Sequence, residues 1–265
     1  MLDVTAYLAA LVVLLLASVA GWLFSVVRKN VTIVDSLWAL FFLLAALTTA
    51  TLTPQPGPRA SLIIVLVAVW AMRLSGYLTW RNWGKPEDHR YQEIRRRNEP
   101  GFTFKSLYLV FALQAVLAWI IAAPLAAGIS GQAPLGLLDY AGVALWVFGF
   151  LFETIGDWQL ARFKASPDNH GKVMDRGLWR FTRHPNYFGE ACLWWGYWLI
   201  AASAGGWWTL FAPLLMSVLL LKVSGVALLE KDIGERRPAY RDYIARTNAF
   251  FPGPRRTGTA GKEPA

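Results

Sequence analysis

The residues that could do chemistry concentrate in one stretch, Asp175-Arg176-Gly177-Leu178-Trp179-Arg180-Phe181-Thr182-Arg183-His184-Pro185-Asn186-Tyr187-Phe188-Gly189-Glu190. Three arginines, a histidine, an asparagine and a tyrosine stand at the opening of an apolar run, and Pro185 suits the first turn of a helix. A helix N-terminus offers free N–H groups to an anion, and arginine forks clamp phosphate bidentately. The pattern reads as an anion site for a phosphate-bearing cofactor. A plain basic loop beside a membrane would account for the arginines but not for the His-Pro-Asn-Tyr-Phe-Gly-Glu run.

Carboxylates also fall inside apolar runs, where ionisable groups are costly and usually functional. Glu153 and Asp157 are four residues apart and so leave the same helix face. Asp35, Arg73, Glu190 and Glu230 complete the set. Two bland readings stand beside the functional one. Asp157, Glu190 and Glu230 lie at the ends of runs, in wet headgroup territory, and Asp35 and Arg73 form a natural structural pair. Taken together, the group points to a polar cavity open towards the side that holds the basic loops.

The elements that must hold these residues are membrane helices. Of the 265 residues 55% are hydrophobic and 16% charged, and mean hydropathy is +0.37, whereas a soluble domain carries roughly 25% charged residues. Fourteen tryptophans fit the bilayer interface. Runs of about 20 apolar residues predict an all-α polytopic protein of about seven spans, near 4–27, 31–53, 60–80, 105–125, 137–159, 188–204 and 207–229. Gly205-Gly206 leaves almost no loop, so the last two spans read as a tight hairpin. Ser18-Val19-Ala20 resembles a signal-peptide cleavage site, but Met1-Leu2-Asp3 carries no basic charge, so a retained first helix is expected. An outside N-terminus and a cytoplasmic C-terminus put 24 of the 26 Lys and Arg on the cytoplasmic side, which also places the net charge of +9.

Residues 1–252 therefore read as one integral membrane domain, and 253–265, rich in Pro, Gly, Thr and Lys, as a disordered tail. Gly142, Gly149 and Gly156 recur every seven residues, and Gly189 and Gly196 keep the same step, so close helix approach is expected there. One cysteine, Cys192, excludes a disulfide framework. No two His or Cys share a helical turn, so no metal site is expected. Basic residues scattered over membrane loops without a DNA-binding motif argue against nucleic acid.

Arg183-His184-Pro185-Asn186-Tyr187-Phe188-Gly189-Glu190 resembles the signature of the steroid 5α-reductase C-terminal superfamily, and is closest to its bacterial branch. Glu153…Asp157, Arg176-Gly177-Leu178-Trp179, Ser224-Gly225…Leu229-Glu230-Lys231 and Arg237-Pro238-Ala239-Tyr240-Arg241-Asp242-Tyr243 fit as well. The resemblance covers 137–252 well, and Val34–Trp38 and Glu87–Tyr91 more loosely. It implies a seven-helix membrane reductase in a bacterial inner membrane, with its site facing the cytoplasm. It also implies NADPH as cofactor, a steroid-like or other apolar lipid substrate taken from the bilayer, and hydride transfer to the β-carbon of an enone. No G-x-G-x-x-G occurs in the chain, so side chains rather than a glycine-rich turn must hold any dinucleotide.

By this resemblance, Asp157, Arg176, Arg183, His184, Asn186 and Tyr187 fall at cofactor-contacting positions. Glu153 stands where relatives often have Asn. Glu230 belongs to the same set, Glu190 would lie between cofactor and substrate, and Tyr240 and Tyr243 would close over the cofactor. Arg162, Lys164, Lys172 and Arg180 are the choices for the 2′-phosphate. Steroid-converting relatives carry a Gln-Glu pair with a partnering Tyr, and this chain has no Gln-Glu dipeptide. Asp35 with Trp38, and Tyr77 or Tyr91, are the substitutes, because a Tyr bonded to a carboxylate can face a developing enolate. Sterols, quinone-like isoprenoids and unsaturated fatty-acyl lipids all fit as substrates. The alternative is an S-adenosylmethionine-dependent methyltransferase of the isoprenylcysteine carboxyl methyltransferase type, which shares Arg-His-Pro-x-Tyr. A non-enzymatic lipid-binding subunit or small transporter would leave the His-Pro-Asn-Tyr run without a task.

Overall fold

In the computed structural model the first helix, α1 (Val4–Arg28), shows how composition becomes architecture. Its buried residues Ala6, Ala10, Leu14, Ser18, Gly21 and Ser25 lie on one face and are mostly small. The opposite face, with Val4, Leu8, Val12, Leu16, Leu23 and Val27, is exposed and apolar. A surface helix in water shows polar residues there; a helix in lipid shows large apolar side chains outside and small ones at its contacts. A Cβ on Gly21 would lie 2.3 Å from Leu37 Cδ1, so this glycine makes room for a side chain of the next helix. Asp3 caps α1 by accepting from the Ala6 N–H at 3.0 Å.

The structure describes residues 2–223, 225–230, 233 and 238–256. Ser224, Lys231 and Arg237 of the motif pieces, and the tail from Thr257 onward, lie outside the described residues. After α1 come α2 (Ile33–Leu52), α3 (Ala60–Asn82), α4 (His89–Asn98), α5 (Phe102–Ile121), α6 (Ala123–Ser130), α7 (Leu137–Ala165) and α8 (Pro185–Ser203). Then follow α9 (Trp207–Val223), α10 (Val226–Glu230) and α11 (Ala239–Arg246). No strand occurs among the described residues. Helices α1, α2, α3, α5 and α7 are long and apolar enough to cross a membrane, and they match the first five expected spans. The chain is an integral membrane protein by that criterion.

Differences from the expected spans have local causes. The fourth run stops at Ile121 and a new, wholly buried helix starts at Ala123. Pro124 cannot donate within a continuous helix but suits a first turn. The seventh run breaks after Val223. A Cβ on Gly225 would lie 1.9 Å from the Leu220 carbonyl oxygen, a turn that no larger residue could make. Helix α8 has 19 residues, and α9 is a shorter apolar run than expected.

The chain forms two compact units, Met1–Tyr140 with Tyr197–Ala212, and Ala141–Gly196 with Pro213–Ala265. In the first, α2 packs against α1 and α3, and α6 against α2. Arg59 is fully buried there. Its Nε and one terminal nitrogen each donate to Asp139 at 2.7 Å, and further bonds reach Pro134 O and Ser203 Oγ. Sequence reading leaves Arg59 as a lone charge in an outer loop and passes over Asp139; the structure makes them a sealed pair. In the second unit the glycine steps interlock. A Cβ on Gly149 would lie 2.5 Å from Gly189 O, on Gly189 2.5 Å from Glu153 N, and on Gly196 2.7 Å from Gly142 O. The segments therefore run antiparallel, backbone against backbone.

Candidate functional site

In the second unit Arg183 is buried at the mouth of α8, and its guanidinium is engaged within the chain. Nε and a terminal nitrogen each donate to Glu230 at 2.7 Å, as a fork on both carboxylate oxygens. The other terminal nitrogen donates to Ile244 O at 3.2 Å and to Thr247 O. His184 Nε2 lies 2.8 Å from Glu230 Oε1, and its ring stacks on Tyr187 with centroids 5.5 Å apart. Burial opposes ionisation of Glu230, but the hydrogen bonds and charges of Arg183 and His184 outweigh it and lower its carboxyl from 4.5 to about 2. The same contact raises Arg183 against the cost of burial.

The C-terminal segment closes this unit. Tyr243 is buried and donates its hydroxyl to Trp179 O at 2.5 Å, and burial raises its phenol. Tyr240 packs edge-on against Tyr243. The Arg183 N–H donates to Asn248 O at 2.8 Å, and Thr182 Oγ1 to Phe250 O at 2.8 Å. The predicted tail begins with residues that are tied down: the Gly253 N–H donates to Phe181 O at 3.0 Å, and Arg255 to Asp175. Arg183, His184, Glu230, Tyr187, Tyr240 and Tyr243 are thus brought together.

Glu153, Asp157 and Glu190 are buried, Glu153 directly against Gly189. Asn186 sits on the first turn of α8, and its Oδ1 is buried without a hydrogen-bond partner among the described residues. A buried polar atom left unpaired costs about 1–3 kcal/mol, which makes this oxygen a place for a donor from elsewhere. Arg162, Lys172, Arg176 and Arg180 are exposed. They make no ion pair among the described residues, although Arg162 lies over the Trp158 ring at 5.5 Å. These cations meet the charge requirement of a phosphate-rich cofactor, and Asn186 Oδ1 could accept from a carboxamide N–H. The residues present therefore fit NADPH.

The first unit holds the second cluster. Tyr91, on α4, is buried and donates its hydroxyl to Asp35 Oδ1 at 2.5 Å. Arg90 binds the other oxygen of Asp35 at 2.7 Å and is itself fixed by Asp88, which also caps α4. Gln114 Nε2 lies 3.4 Å from the Tyr91 hydroxyl. Burial first, and the Asp35 charge second, raise the Tyr91 phenol well above its ordinary value. Of the tyrosines considered for Asp35, Tyr91 makes the contact. The Tyr77 ring instead lies beside Arg73 and Arg81, and Trp38 stands edge-on to Phe42. Arg90 rather than Arg73 is the cation of Asp35. Arg90 and Gln114 are absent from the sequence reading. Only Glu87-Asp88-His89-Arg90-Tyr91 hinted at the first, and nothing local marked Gln114.

A family described as a protein of unknown function, DUF1295, matches residues 21–247. An uncharacterized protein of Schizosaccharomyces pombe is 27% identical over 272 residues, covering 90% of this chain and 78% of the yeast protein. The 3-oxo-5-alpha-steroid 4-dehydrogenase 1 of Bos taurus is 35% identical over 66 residues, 25% of this chain and 26% of the bovine enzyme. No solved structure matches.

Proposed function

The chain belongs to the DUF1295 family, and from that premise we propose that it is an NADPH-dependent membrane reductase of an enone-type carbon–carbon double bond in a lipid or steroid-like substrate. The observation that carries the reading is the buried Asn186 Oδ1, which has no hydrogen-bond partner among the described residues, in a unit whose exposed Arg162, Lys172, Arg176 and Arg180 make no ion pair among them either. The local similarity to a bovine steroid dehydrogenase supports the same reaction class. Helices α8 and α9 join the five long ones as the sixth and seventh crossings, with the basic segments on the cytoplasmic side of a bacterial inner membrane.

When bound, NADPH supplies the hydride. The chain's own residues bind, orient and polarise. Asn186 accepts from a carboxamide N–H, and the exposed cations take the phosphates. Glu230 holds Arg183 and His184 in place, so all three are positioning residues. Glu153, Asp157 and Glu190 are polar groups of the same unit, and Tyr187, Tyr240 and Tyr243 its aromatic cover. At the Asp35–Tyr91 pair, Asp35 orients the phenol and Arg90 keeps Asp35 charged. Burial and that charge both oppose tyrosinate, so Tyr91 keeps its proton and polarises a carbonyl oxygen by hydrogen bonding. The proton that reaches the α-carbon then comes from water.

Purified protein in mild detergent, titrated with NADPH and separately with S-adenosylmethionine, tests the reading. A ligand that binds only the folded state raises apparent stability. A rise with NADPH alone, lost in Asn186→Leu, is expected. A rise with S-adenosylmethionine alone would turn the same residues into a methyl-donor site and overturn the reductase.

A further inference from the structure

A site separate from both clusters lies where α1 and α3 end and α2 begins. A cavity of about 180 Å³ is lined there by Arg28, Asn30, Asn82 and Lys85, with Ser36 and Thr79 among its other walls. None of its lining residues is acidic. Its size is well below the roughly 300–1,000 Å³ of pockets for drug-sized ligands, which suits a small ionic head. Arg81 Nε donates to Asn82 Oδ1 at 3.1 Å and so fixes the orientation of the amide. Asn82 Nδ2 is then left buried without a hydrogen-bond partner among the described residues. Two cations and an unused amide N–H pair make a donor set for an anion.

The cavity continues into an apolar groove. A second space of about 660 Å³ is lined by Leu40, Met72, Gly76 and Trp80, and it shares Thr79 and Trp83 with the first. A Cβ added at Gly76 would meet nothing within 4 Å, so the glycine leaves the groove floor open. From Met72 to Trp83 the helix rises about 16 Å at about 1.5 Å per residue, roughly half of a hydrocarbon core about 30 Å thick. Trp80 and Trp83 are 69% and 60% exposed, and the Arg28 guanidinium lies over the Trp83 ring at 5.0 Å. Exposed tryptophans mark headgroup depth, so the polar cavity lies at the level of lipid heads and the groove runs down one leaflet.

We propose that this place binds one anionic glycerophospholipid, with its phosphate at Arg28, Lys85 and Asn82 and one acyl chain laid along Gly76. Charge selects the head and the groove selects the chain. Neither Asp35 nor Tyr91 lines either space, so the lipid is a bound partner of the fold rather than the proposed substrate.

The test uses delipidated full-length protein in mild detergent, with thermal stability and native mass spectrometry as readouts. The probes are dioctanoyl phosphatidylglycerol, dioctanoyl phosphatidylcholine and glycerol phosphate. Phosphatidylglycerol is expected to half-saturate at a concentration about tenfold or more below phosphatidylcholine, and glycerol phosphate alone to give no shift. Arg28→Gln with Lys85→Gln should raise the phosphatidylglycerol midpoint about tenfold, as losing charge-assisted hydrogen bonds does, and raise that of phosphatidylcholine less, because its choline cation already offsets the phosphate. Gly76→Leu fills the groove without crowding the fold and should weaken both lipids. Equal midpoints for the two lipids in the wild type, or an unchanged phosphatidylglycerol midpoint in either variant, would overturn the proposal. A shift with glycerol phosphate as large as with the lipid would reduce the place to a phosphate site and overturn it too.

Discussion

Arg59–Asp139 and Arg90–Asp35 are both arginine–carboxylate pairs of the first unit, yet they leave very different things over. Side-chain exposure is 0% and 3% in the first pair, 19% and 14% in the second. Asp139 accepts from Arg59 on both oxygens, and Ser203 Oγ and the Gly136 N–H each add a bond at 2.7 Å. Every group in that pair is consumed by the fold. At Asp35 one oxygen is taken by Arg90 and the other by a phenol, a group able to exchange its partner for a substrate oxygen. Burial of charge marks a structural joint; burial of charge beside a hydroxyl with another use marks a reactive place.

The largest effect should come from breaking the sealed pair. Asp139→Ala leaves Arg59 buried and uncompensated, which costs about 3–5 kcal/mol. A fall in thermal stability of that order, with part of it recovered in Arg59→Met combined with Asp139→Leu, would match a purely structural role. Ligand-induced stabilisation should survive in the fraction that folds. If the single variant were as stable as wild type, the contrast between the two pairs would lose its basis.

Tyr91→Phe tests the other side. Removing one hydroxyl that polarises a reacting oxygen should lower turnover about 10²-fold or more, once a substrate is in hand. Stability should fall by no more than about 3 kcal/mol, the worth of a hydrogen bond to a charged group. NADPH-induced stabilisation should stay within about twofold in midpoint. Full turnover in Tyr91→Phe would return Asp35 and Arg90 to the class of structural pairs.

Glu230 offers a comparison by pH. Its carboxyl is held at about 2 against 4.5 when free, so between those values the unfolded chain binds more protons than the folded one. That contribution is complete above pH 4.5 and disappears as pH falls through about 2. Wild type should therefore lose stability over this window, and Glu230→Gln, less stable at neutral pH, should show a flatter slope there. Equal slopes would detach Glu230 from the Arg183–His184 cluster.

Much of this was legible because membrane helices obey few rules. Long apolar runs located α1, α2, α3, α5 and α7, and the seven-residue glycine step named the residues through which the segments 141–165 and 185–196 touch. Asp35 stood out as a charge in an apolar run. Asp139 did not, because it falls at the very start of an expected span, and its partner Arg59 just precedes another. Arg90 and Gln114 were hidden for a different reason. A side chain that completes a site from a separate helix leaves no local period or spacing. Arg183 carried a mixed signal: its setting announced an anion clamp, whereas its nitrogens hold Glu230 and two C-terminal carbonyls.

Because of those bonds, removing Arg183 would disturb folding and binding together, and Asn186 is the cleaner probe. Its Oδ1 is buried with no partner among the described residues, an acceptor those residues leave unsatisfied. Asn186→Leu replaces it with an apolar group of similar size and should leave apo stability unchanged or raise it by about 1 kcal/mol. The same change should remove most of the NADPH-induced stabilisation. Thermal scans with and without NADPH check both at once. Gain without ligand and loss with it is the signature of an acceptor kept for a partner. A loss of apo stability would mean that the oxygen already serves the fold, as Asp139 does.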